Sequence, residues 1–164
     1  MTRERYSTSP DACPGATPPR PRVEAIDTPD AKTPRAGVVV LACMDVRVDP
    51  LRLLGYEQAD AHVLRNAGAL VTDDVVRSLI VSQHLLGTRR VDVLAHTDCG
   101  NGSPATRELA ERLGRDLAQF ADVDDAVRAS LRRLEAEPDL LIEEACGYVF
   151  DVTTGAVRQV RRSA

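Results

Sequence analysis

The sequence has no tryptophan, and aromatic residues make up 3% of its 164 positions. Its core must therefore be built from Val, Leu, Ile and Ala. It also lacks a basic excess. With 21 Lys and Arg against 25 Asp and Glu, the formal net charge is −4. No cationic stripe of the kind phosphate backbones require is available, so no nucleic-acid partner is expected. No apolar run approaches the ~18–20 residues of a membrane span. The N-terminus lacks the apolar core of a secretory signal. The expectation is a cytoplasmic protein with no membrane partner. Cysteines are few: Cys13, Cys43, Cys99 and Cys146. In a reducing compartment they point to metal, catalysis or burial more than to a disulfide framework.

What is present divides unevenly. Residues 1–36 hold most of the ten prolines and almost no apolar periodicity, which reads as a flexible Pro-rich N-terminal arm. From Gly37 the composition changes, and residues 37–164 read as one compact domain. "GVVVLACM" is a continuous β-branched run, the pattern of a strand buried on both faces. "DPLRLLG" predicts a short helix, with Asp49 as cap, Pro50 at its first position and Gly55 as its stop. "AHVLRNAG" predicts a second strand. "TDDVVRSLIVSQHLLG" predicts a helix capped at Thr72 or Asp73, with Val75, Val76, Leu79, Ile80 and Gln83 at helical spacing. "RRVDVLAHT" predicts a third strand. A helix is expected from Ser103-Pro104 to about Phe120, and another over 124–135. "CGYVFDVTTGAVRQV" predicts a hairpin. The fold class is α/β: a mainly parallel sheet flanked by helices, with a C-terminal hairpin. In such sheets chemistry gathers at the carboxyl ends of the strands.

Two motifs fall at those ends. "ACMDVRVDP" carries Cys43, Asp45 and Arg47 at alternate positions, which project to one side if the chain stays extended. "VLAHTDCGNG" carries His96 and Cys99, a spacing from which both side chains reach one ion. Two thiols, an imidazole and a carboxylate are ligand types that Zn²⁺ selects. Other readings of the same residues exist. Cys43 serves equally as a small buried hydrophobe, Cys43 and Cys99 as a disulfide pair, and Asp45 with Arg47 as a solvated ion pair. His62 and His84 read as surface or packing residues. Cys13 and Cys146 read as structural or incidental.

"CMDVR" followed by "HTDCG", with "HVLRNAG" and "VTDDVVRSLIVSQHLLGT" between them in the same order, resembles the β-class carbonic anhydrases, in particular their short bacterial branch. The resemblance runs from about Val38 to Val160. It implies one Zn²⁺ per chain on Cys43, His96 and Cys99, with Asp45 and Arg47 as a catalytic dyad. It implies a lyase that hydrates CO₂ reversibly to bicarbonate and a proton, by attack of zinc-bound hydroxide. It also implies a homodimer or higher homo-oligomer with each site in an interfacial cleft. Asn66, Ala67 and Gly68 resemble the family's substrate-side loop. Asp45 has two alternatives: paired with Arg47 it leaves the fourth metal position open, and bound to zinc it closes that position. Relatives on this fold hydrolyse carbonyl sulfide or carbon disulfide, and an inactive zinc-binding dimeric module is a further reading. One departure stands out. After "HTDCG" the short bacterial relatives continue with an apolar, aromatic-containing segment, whereas here Asn101-Gly102-Ser103-Pro104 follows, which predicts a more open or more polar pocket wall.

Overall fold

The computed structural model describes residues 32–161. Most of the proline-rich stretch and Cys13 lie outside them. Five strands form one sheet in the order β2-β1-β3-β4-β5. They are β1 (Val38–Cys43), β2 (Ala61–Asn66), β3 (Arg90–His96), β4 (Glu144–Phe150) and β5 (Val157–Val160). The pairs β1–β2, β1–β3 and β3–β4 are parallel, and β5 returns antiparallel to β4 as the expected hairpin. All six residues of β1 are buried, as its unbroken apolar run requires of a strand covered on both faces.

The alternation of side chains sorts the sheet into two faces. Val39, Leu41, Val91, Val93 and Ala95 pack beneath α2 (Asp73–Leu86) and α4 (Val123–Ala136), whose Val75, Leu79, Val127, Leu131 and Leu134 complete the larger core. Val40, Ala42, Leu94 and Phe150 form the smaller core on the other face, against Leu53, Leu54 and Tyr56 at the end of the short α1 (Pro50–Leu54). Asp49 caps α1 by accepting from Arg52 N–H, and Thr72 caps α2 by accepting from Val75 N–H. Both caps satisfy helix N-terminal donors as the sequence led one to expect.

One helix departs from expectation. α3 (Pro104–Leu113) stops seven residues short of Phe120. Gly114 terminates it at φ 60, in the left-handed region, with its N–H turned back to the Ala110 carbonyl, and glycine adopts that backbone without the Cβ penalty. Residues 115–122 then form an irregular connection to α4. No helix among the described residues is long and apolar enough to cross a membrane.

Candidate metal centre

Because β1 and β3 are neighbours running in the same direction, their carboxyl ends deliver Cys43 and His96 to one edge of the sheet. The chain leaving β3 turns through Thr97 and Asp98 and brings Cys99 back toward them. The ligand atoms of Cys43, His96 and Cys99 all lie within 4.8 Å of one another. Cys43 and His96 are buried, and Cys99 is half-buried.

The donor set fits a zinc ion. Two sulfurs bound tetrahedrally to one zinc at about 2.3 Å each stand about 3.8 Å apart, and Cys43 Sγ and Cys99 Sγ are 3.8 Å apart. The three described cysteines are free thiols, so a disulfide between Cys43 and Cys99 is not formed. His96 Nδ1 lies 2.8 Å from the Thr97 carbonyl. A carbonyl only accepts, so Nδ1 carries the proton and Nε2 presents its lone pair. That Nε2 is buried with no hydrogen-bond partner. A buried nitrogen left unmatched costs free energy, and a cation would satisfy it.

The Cys43 and Cys99 sulfurs are hydrogen-bonded to each other. Hydrogen bonding from Cys99 holds the Cys43 thiol well below its ordinary value, with further help from the backbone at Asp45 and Gly68. The same bond pushes the Cys99 thiol above its ordinary range. Gly68 N–H donates to Cys43 Sγ over 3.4 Å. The pocket therefore already stabilises a thiolate, the form that binds metal.

Asp45 and Arg47 sit at the mouth, though not by strand alternation. β1 ends at Cys43, and residues 46–47 form a turn. Arg47 N–H donates to Asp45 Oδ1 over 2.9 Å, which folds the arginine back onto the carboxylate. Arg47 Nε and Nη2 then meet Oδ1 and Oδ2 at 3.0 and 2.8 Å. This two-pronged pairing holds the Asp45 carboxyl well below the usual carboxylate range. Asp45 Oδ2 is 3.8 Å from His96 Nε2, so the carboxylate borders the position where the three ligand atoms converge while both of its oxygens are held by Arg47.

A cavity of about 420 Å³ opens onto Cys43, Asp45 and Cys99. Ala67 and Gly68 line it, whereas the Asn66 amide turns away to bond both the N–H and the carbonyl of Leu70. Asn101 also lines it, buried, with Nδ2 donating to the Ala118 carbonyl over 3.1 Å. That bond draws the 115–122 connection against the site and puts Leu117 on the wall. The Asn101-Gly102 departure therefore brings in a distant apolar side chain. Two residues escaped sequence reasoning. Arg65 donates to the Cys43, Asp45 and Val48 carbonyls and fixes the loop that carries the dyad. Asp98 grips Arg47. Both stood inside quoted motifs, but a charged residue at a strand end or in a loop carries no signal of its partner. His62 and His84 are spoken for elsewhere, by Ser82 Oγ and the Asp139 carbonyl.

Comparison with known proteins bears on this geometry. A family model described as carbonic anhydrase matches residues 38–146. β-Carbonic anhydrase 1 of Mycobacterium tuberculosis is 42% identical over 136 residues, covering 77% of this chain and 83% of the relative. A carbonic anhydrase crystal structure from Streptococcus mutans superposes with a TM-score of 0.70 at 38% identity, covering 79% of this chain and 84% of that one. A carbon disulfide hydrolase of Acidianus is 49% identical over 61 residues, 37% of this chain and 30% of the relative.

Proposed function

Because the chain belongs to the β-carbonic anhydrase family, we propose that it hydrates CO₂ reversibly to bicarbonate and a proton, with one Zn²⁺ per chain held by Cys43, His96 and Cys99. The observation that carries this reading is the convergence of those three ligand atoms within 4.8 Å, beside a carboxylate that Arg47 holds off them. When bound, zinc supplies a Lewis acid that acidifies water. The chain's own residues supply the remainder. The Thr97 carbonyl fixes the His96 ring. Asp45, paired with Arg47 and so ionised at working pH, accepts a hydrogen bond from the attacking water and orients it. Ala67, Gly68 and Leu117 offer an apolar wall suited to a small apolar substrate.

Two thiolates neutralise a divalent cation more fully than three neutral imidazoles do, so it acidifies water less. Hydration is therefore expected to rise between pH 7 and 9. Asp45 is already ionised across that range, so its titration is not the source of the rise. The test is stopped-flow CO₂ hydration against pH, with zinc quantified, for the wild type and Asp45→Asn. A flat or falling profile, or a zinc-loaded protein with no hydration above buffer at pH 8.5, sinks the reading. The Acidianus relative supports a second one, hydrolysis of carbon disulfide, and sulfide release measured on the same protein distinguishes the two.

A further inference from the structure

The guanidinium of Arg47 is held on two edges. Its Nε–Nη2 edge carries Asp45. Its outer edge carries Asp98: Nη1 donates to Asp98 Oδ2 over 2.8 Å, and Nη2 donates to the Asp98 carbonyl over 2.9 Å. Asp98 takes no donor that Asp45 needs for its closest contacts, because the planar fork has five N–H groups. The two carboxylates therefore brace one cation rather than compete for it. Asp98 adopts φ 53, one of four non-glycine residues at positive φ among those described. Aspartate tolerates this conformation better than most residues, at some cost. The turn lies between His96 and Cys99 and presents both the carbonyl and the carboxylate of Asp98 to Arg47. A side chain as exposed as Asp98, at 79%, contributes little stability through an ion pair. Its geometry serves position instead.

We propose that Asp98 is a positioning residue: by bracing Arg47 from the far side, it keeps Asp45 paired with the guanidinium and off the metal's fourth position. Arg47 thereby ties the loop after β1 to the loop after β3. The inference rests on the metal-site reading above and adds a third member to the dyad.

The test uses cobalt-substituted full-length protein and thiocyanate, read by visible absorption. Thiocyanate competes with Asp45 for the fourth position, and its binding requires no turnover. Asp98→Gly suits the positive φ, so it removes the carboxylate without straining the turn. Asp98→Asn keeps an acceptor for Nη1. Asp98→Gly is expected to weaken thiocyanate binding at least fivefold, with Asp98→Asn within twofold of wild type. In an Asp45→Asn background, Asp98→Gly is expected to have no effect, because the competing carboxylate is gone. Wild-type affinity in Asp98→Gly overturns the proposal. So does an equal loss in the Asp45→Asn background, which would mean that Asp98 acts on the metal site without Asp45. Metal binding by wild type with no CO₂ hydration would refute the proposed activity and leave this result readable.

Discussion

At the scale of the residue, the site is a small set of groups whose protonation is set by neighbours. His96 has its tautomer fixed by one carbonyl. Cys43 Sγ is hydrogen-bonded by the Cys99 sulfur and by Gly68 N–H, contacts that favour its thiolate form. Asp45 is kept ionised by a guanidinium. Arg47 stands outside the ligand set and touches the metal position only through Asp45. Replacing it with alanine is therefore expected to leave zinc at one per chain and to lower kcat/KM at least ~10²-fold, the scale of a misplaced hydrogen-bonding group. Metal analysis beside steady-state kinetics checks this, and parallel loss of zinc would make Arg47 a structural residue. The sequence showed Asp45 and Arg47 as a pair worth watching. It did not show that a turn, rather than strand alternation, brings them together, because that depends on where β1 stops.

At the scale of the element, strand ends and helix caps were legible because their signals are local: a β-branched run, an Asp-Pro start, a threonine before two aspartates. The length of α3 was not, since residues 115–120 have acceptable helix formers and only Gly114 argues for a stop. What draws the connection away is a contact 17 residues distant, Asn101 to Ala118. The α4–β4 contact is tighter still. A Cβ built on Gly147 would lie 2.3 Å from Val127 Cγ1 and 3.1 Å from Leu131 Cδ1, so β4 packs under α4 through a missing side chain. Gly147→Ala is expected to cost about 1–3 kcal/mol through overpacking. A urea midpoint lowered at constant m would show it, with part of the loss recovered by adding Val127→Ala. An unchanged midpoint would mean that α4 yields freely.

At the scale of the whole molecule, the candidate metal site lies at an open edge. Val46 is 99% exposed and Met44 65%, both next to Asp45, and an apolar pair beside the cavity is poorly suited to water. Met44 and Val46 are expected to be covered by a second copy of the chain in a homodimer. Sedimentation velocity is expected to give about twice the 17.8 kDa chain mass, and Val46→Asp is expected to shift the protein toward monomer. A monomeric wild type would count against it.

The sequence by itself determined the ligand types, the order of strands and helices, and the two motifs at strand ends, because periodicity, capping and ligand chemistry act over a few neighbouring residues. Only the tertiary structure decided that β1 and β3 lie side by side, that Cys43 and Cys99 stand at zinc-binding separation, that Asp98 braces Arg47, and that Asn101 brings Leu117 to the cavity. Those relations join residues tens of positions apart, and no local propensity specifies them. They follow from burying both faces of one mainly parallel sheet.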